Sequence, residues 1–255
     1  MAESQGSATP GWHPDPFGRH LFRYWDSGRW TEHVSDRGDT AVDPIRDGES
    51  APLPSVPAVL QSTKLFFEHG GPNAKAGWPV FDGNSEHLGW VRQPGGLMGG
   101  VRPYHLVTTE DRPVLTAASA GTGLKTRRDV PLAVVGPQGQ ELGRFGPPES
   151  AWQSLRAKSR EVGFTLYAGG AVVGRLRGNV TRFDGVGVVE DAAGKQIANI
   201  MKSEQKLSTF KVRLLFVLER DGTLVDPLRS LAVAAPLALH TAICNQQIMW
   251  ERGRF

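Results

Sequence analysis

Four stretches of this chain repeat one pattern, and a single apolar segment follows them. Each repeat is an apolar run, a polar turn containing Gly, and a second apolar run that often carries Leu-Gly or Val-Gly. They read PVFDGNSEHLGWVR from Pro79, PLAVVGPQGQELGRF from Pro131, TLYAGGAVVGRLRG from Thr165 and GVVEDAAGKQIANIM from Gly187. Gly, Asn and Asp reach positive φ at little steric penalty, so β-rich runs joined through them read as hairpins. The expected fold is mainly β and antiparallel. The strands run from Leu60–Glu68 to Thr209–Glu219, with Val172–Arg177 and Val180–Phe183 as separate strands and a short helix over Ser150–Ser159. About twelve strands at regular spacing favour a closed barrel, because closure removes exposed edges.

The last apolar stretch, LRSLAVAAPLALHTAIC from Leu228, has a different character. Asp226 is a good N-cap and Pro227 suits the first helical position. Apolar residues then occupy every face, with Ala232, Ala234, Ala235 and Ala238 keeping the helix slim. Such a helix belongs in a core or a membrane. A span needs roughly 20 apolar residues, whereas Leu231–Leu239 is flanked by Arg229 and Ser230 and by His240 and Thr241. The expectation is a C-terminal helix buried inside the barrel.

Ahead of the barrel, residues 10–34 form an aromatic island, GWHPDPFGRHLFRYWDSGRWTEHV from Gly11, holding Trp12, Trp25 and Trp30. Its order must come from stacked rings and Pro-fixed turns. It resembles a short actinobacterial module with the pattern Gly-Trp-Tyr-Pro-Asp-Pro, Arg-Tyr-Trp-Asp-Gly and Trp-Thr. The match holds at Gly11, Trp12, Pro14, Asp15, Pro16, Arg23, Tyr24, Trp25, Asp26, Trp30 and Thr31, with His13 for the usual Tyr and Ser27 for the usual Gly. That module has no established activity. Trp12, Tyr24, Trp25 and Trp30 are its candidate partner surface. Residues 35–57, acidic and rich in Pro, Gly and Ser, read as a flexible linker, and the barrel domain is expected over 58–250.

The hairpins with PVFD and HLGWVR, followed by FVLERDGTLVDPLRSLAVAAPLALH, are similar to the phospholipid scramblase and LURP-one-related proteins. This resemblance spans Val59 to Gln247 and implies a tubby-like barrel of twelve strands threaded by a C-terminal helix. It also implies a lipid-associated role. In scramblases the segment before the helix is an acid-rich calcium loop; here Glu219, Asp221 and Asp226 are what remain of it. Calcium takes six to eight oxygen ligands, so calcium-driven activity is not expected to carry over.

Enzymatic motifs are weak. GTGLKT from Gly121 places Leu124 where a phosphate loop needs Gly before the Lys, and PGGLMGG from Pro94 reads as a loop. His240 reads as a neutral, hydrogen-bonded core residue, and the lone Cys244 as a small core residue. No metal ligand set, catalytic residue or cofactor is assigned, and no nucleic-acid partner is expected. With one Cys and a polar start, the chain is expected in the cytoplasm, at the inner face of the plasma membrane.

Charge is distributed unevenly. Of the net +3, the part up to Pro57 carries −4 and the remainder +7. Basic clusters fall at Lys125, Arg127 and Arg128, at Arg175, Arg177 and Arg182, and at Lys202, Lys206, Lys211 and Arg213. The last two clusters are the candidate lipid-binding residues, since basic groups beside an anionic surface contribute roughly 1 kcal/mol each. The functional expectation is a non-enzymatic scramblase-like barrel that binds anionic lipid or acts as an adaptor. The alternatives are a true phospholipid scramblase, or a small-ligand carrier or enzyme using the barrel mouth.

Overall fold

In a computed structural model, residues 10–252 are described apart from 27, 37, 47, 50–55, 70–76, 94–102, 120–130, 147–160, 181–184 and 209–210. The chain divides into two compact units, Met1–Pro57 and Ala58–Phe255. The first is a four-stranded antiparallel meander: β1 (Gly11–Pro14), β2 (Phe22–Trp25), β3 (Trp30–Asp36) and β4 (Asp39–Val42). The second opens with a short helix α1 (Ala58–Gln61) and then β5 (Lys64–His69), β6 (Trp78–Asp82), β7 (His87–Arg92), β8 (Tyr104–Thr108) and β9 (Pro113–Ser119). There follow β10 (Leu132–Val135), β11 (Glu141–Gly146), β12 (Glu161–Ala168), β13 (Ala171–Val180), β14 (Gly185–Asp191), β15 (Gln196–Ser208), β16 (Lys211–Arg220) and the helix α2 (Leu228–Arg252). Strands β5 to β16 form the expected closed antiparallel barrel, with β16 paired to β5 and β9 to β10.

The repeated hairpins have a shared geometry. At Asp82, Thr108, Gly136 and Asp191 the backbone N–H donates to the carbonyl four residues on, and the residue three on donates back. That third residue lies in the left-handed region: Ser85 (φ 67°), Asp111 (φ 62°), Gly139 (φ 84°) and Gly194 (φ 82°). This is the three-residue hairpin loop. Side chains reinforce it, as when Asp82 Oδ1 accepts from the N–H groups of Asn84 (2.9 Å) and Glu86 (2.8 Å).

One step beyond each turn the pairing slips by one residue. Val80 faces Gly89 but Phe81 faces His87, which leaves Leu88 as a bulge, and Leu142, Val173 and Ile197 are bulged in the same way. The recurring Leu-Gly or Val-Gly is therefore a bulged residue followed by a close approach. A Cβ on Gly89, Gly143 or Gly174 would lie 2.0, 2.6 or 2.2 Å from a carbonyl oxygen of the next strand. Bulges bend and twist a strand, and repeated around the wall they help a sheet close.

Twelve strands enclose a lumen wider than side chains alone would fill, and α2 fills it. Every residue from Leu231 to Ala242 is buried, and the helix packs against β9 through β16. The Ala residues keep α2 thin, and Gly in the wall makes room: a Cβ on Gly187 would sit 2.7 Å from Leu239. Asp226 caps the helix through Ser230 N (3.2 Å) and Oγ (2.6 Å). The barrel and its buried helix are as the sequence led us to expect.

Several local expectations need correction. Leu60–Glu68 is not one strand, because α1 occupies Ala58–Gln61 and buries Val59 and Leu60 before β5 begins. Val172–Arg177 belongs to one long strand, β13, that runs on to Val180. The Ser150–Ser159 helix and both Gly-rich loops, at Pro94–Gly100 and Gly121–Thr126, lie outside the described residues.

The N-terminal unit also extends further than residues 10–34. Strand β4 and the residues beyond it fall within the stretch expected to be linker. Ile45 packs on the Trp25–Trp30 core, Asp43 accepts from Arg19 Nε (2.8 Å), and Glu49 accepts from Arg19 Nη1 (2.6 Å). Asp43 and Glu49, which looked like linker composition, are counter-ions of Arg19 and Arg23. Arg23, with a fully buried side chain, donates to Asp15 Oδ1 (2.8 Å), to the Thr31 carbonyl (3.0 Å), to the Asp43 carbonyl (2.7 Å) and to the Asp43 carboxylate. Arg19 and Arg23 each lie 5.0 Å from the Phe17 ring centre.

Candidate functional site

The lumen holds a polar cluster among its apolar side chains. His240 of α2 sits at 5% exposure between Trp78 (ring centres 4.6 Å apart), His69 (4.9 Å) and Phe216 (6.1 Å). The Tyr104 hydroxyl and His240 Nδ1 share a hydrogen bond (2.8 Å), and Thr241 Oγ1 donates to the Leu237 carbonyl (2.9 Å). Burial, and then the positive charge of His69 and Lys202, push the His240 ring down to about 3. Burial also lowers His69. His240 is thus the neutral, hydrogen-bonded core residue that the sequence suggested.

These rings give the barrel a pH dependence. The folded state holds His240 neutral, whereas the unfolded chain protonates it near its ordinary value of 6.5, so the unfolded state binds the proton first and stability falls as pH drops. The loss starts below about 6.5 and continues to about 3 at up to about 1.4 kcal/mol per pH unit. Chemical denaturation at pH 7 and pH 5 should show a drop of about 2 kcal/mol from His240, with His69 adding to it. His240→Gln should flatten the slope, and equal stability at both pH values would contradict this account.

At the opposite end, the end of β16 and the loop before α2 set three acids against the chain's own cations. Glu219 pairs with Lys64 (2.7 Å), Asp221 with Lys195 (3.3 Å) and Asp226 with Arg229 (2.5 Å). Asp221 also accepts from Thr223 N (2.9 Å) and Oγ1 (2.6 Å); these bonds, and then Lys195, hold it down to about 2. Asp226 is pulled upward by burial, yet Arg229 and Ser230 hold it below the ordinary carboxylate value. The carboxylates are committed to salt bridges, turns and a helix cap.

Of the candidate lipid-binding residues, the side chains of Arg175, Arg177 and Lys202 are described, and these three do not share one surface. Arg175 and Arg177 are exposed on the outer side of β13, alternating with buried Gly174 and Leu176. Arg177 pairs with Glu190 of β14. Two strands away Arg144 lies 5.3 Å from the Tyr167 ring centre, on the same outer wall. Lys202 is a correction: it is 5% exposed and faces the lumen, in register with Phe216, while its neighbour Met201 faces outward at 42% exposure. Lys206, Lys211 and Arg213 are on β15 and β16, with side chains outside the described residues, as is the whole of Arg182.

The aromatic partner surface also divides. Trp25 (4% exposed) and Trp30 (9%) are core, with ring centres 5.4 Å apart, so they cannot meet a partner. Trp12 and Tyr24 face the other side of the sheet, half-buried and edge-to-face at 5.4 Å. Two-residue alternation could have made this division, since Arg23 and Trp25 share one face of β2 and Phe22 and Tyr24 the other.

Among the described residues, no group of three His, Cys, Asp or Glu could hold a metal ion, and no helix is long and apolar enough to cross a membrane. Residues 10–43 match a family model described as a protein of unknown function (DUF2510). No curated protein and no solved structure matches the chain.

Proposed function

We propose that this chain is a non-enzymatic, scramblase-like barrel that attaches peripherally to anionic lipid, at the inner face of the plasma membrane. The observation that carries the reading is the outer wall of β11 to β13, where Arg144, Arg175 and Arg177 stand with Tyr167. Guanidinium groups are suited to lipid phosphates, and a ring beside them is suited to the headgroup layer. A twelve-stranded barrel around a helix is also the architecture that the scramblase resemblance implies. The buried helix speaks against a small-ligand carrier, because Leu231–Ala242 occupy the space a ligand would take.

The test is co-sedimentation of the full chain with vesicles. Binding should require anionic lipid and weaken steeply with salt, since this attraction is screened over roughly 8 Å at physiological ionic strength. Reversing Arg175 and Arg177 to Glu should lower affinity by at least about tenfold, at roughly 1 kcal/mol per basic group removed and more for reversal. Equal binding to neutral vesicles would favour a bilayer-inserting scramblase. No binding to either would leave an adaptor.

A further inference from the structure

We propose that the Trp12–Tyr24 face of the N-terminal sheet is a docking site for a proline-rich peptide with basic flanks. The register sets Trp12 opposite Tyr24 and Pro14 opposite Phe22, and alternation along β2 turns these away from the buried Arg23 and Trp25. The Trp12 and Tyr24 rings meet at 83°, so they form a notch rather than a flat stack. The unit's own core, Trp25, Trp30, Val34 and Ile45, lies on the other face and does not use these rings.

A polyproline II segment fits such a notch. It has no internal hydrogen bonds, so its carbonyls can accept from an indole N–H or a phenol hydroxyl, and its prolyl rings pack against aromatic faces. It also arrives with little entropy to lose. Charge selects the flanks. Arg19 and Arg23 are taken by Asp15, Asp43 and Glu49, and Arg29 is paired with Asp26. The described residues 10–49 carry three more acids than Arg and Lys. Arg or Lys beside the prolines would meet a complementary field.

The experiment titrates the full chain against a fluorescein-labelled oligoproline peptide with arginine at both ends, read by anisotropy. Saturable binding is expected. It should weaken at least about tenfold in Trp12→Ala, the loss typical of an aromatic anchor, and weaken on replacing the peptide's arginines by glutamate. Near-UV circular dichroism from Trp25 and Trp30 reports whether the variant keeps its core. In the unmodified chain, the Trp12 indole N–H resonance should move on titration while those of Trp25 and Trp30 stay. Absence of saturable binding would overturn the proposal, as would equal affinity for a peptide with alanine in place of proline. So would binding that leaves the Trp12 resonance unmoved.

Discussion

Leu237→Asp should abolish folding of the barrel. Leu237 is fully buried in the middle of α2, with Ala234, Ala235 and Ala238 equally buried around it. A carboxylate there would be buried among apolar side chains, and a buried charge costs several kcal/mol, set against a total stability of about 5–15 kcal/mol. Leu237→Ala gives the graded comparison: it removes contacts and leaves a cavity, for about 2–5 kcal/mol, but introduces no charge. Val225→Asp is the control, because Val225 is 63% exposed just before the helix and its substitution should fall within about 0.5 kcal/mol. Soluble, cooperatively melting Leu237→Asp protein would mean that α2 is not the core of the barrel.

Arg23→Ala should unfold the N-terminal sheet and spare the barrel. Its guanidinium meets Asp15, Asp43 and two backbone carbonyls, and the Asp15 side chain is itself fully buried. Removing Arg23 leaves that carboxylate without its cation, and breaking a buried pair from one side costs about 3–5 kcal/mol. A unit whose apolar core is two Trp, Val34 and Ile45 has little to set against that loss. Arg23→Lys should rescue only in part, because one ammonium cannot reach all of these acceptors at once. The readouts are a red shift of tryptophan emission and rapid proteolysis within residues 10–49, with the barrel's melting transition unchanged. A large drop in that transition would show that the two units depend on each other.

Much of the barrel was legible because its signals are local. Turn residues such as Asp82, Gly139 and Gly194 carry their conformation in their own chemistry, and the repeat spacing set the hairpins in order. The apolar, Ala-rich stretch after Asp226 identified the buried helix in the same way, since no surface helix is apolar on all sides. The continuation of β13 past Arg177 was missed because the turn residues Gly178 and Asn179 interrupt its apolar run, yet pairing with β12 and β14 carries the strand through them to Val180. The Arg23 network was also hidden, as Asp43 and Glu49 are acids in a Pro-rich context until the chain folds back and brings them to Arg19 and Arg23.

The sequence by itself determined which segments become strands and turns, and that the last helix must be covered. Only the tertiary structure decided which way each strand faces. Ile197 is a bulged residue, so Ile197 and Ala198 are both buried and the two-residue count restarts after them. That restart carries Ile200 into the lumen and, against their hydropathy, Lys202 with it and Met201 outward. Hydropathy acts residue by residue, but a strand paired on both sides must alternate as a whole. A bulge that shifts the count by one residue therefore reassigns every side chain beyond it.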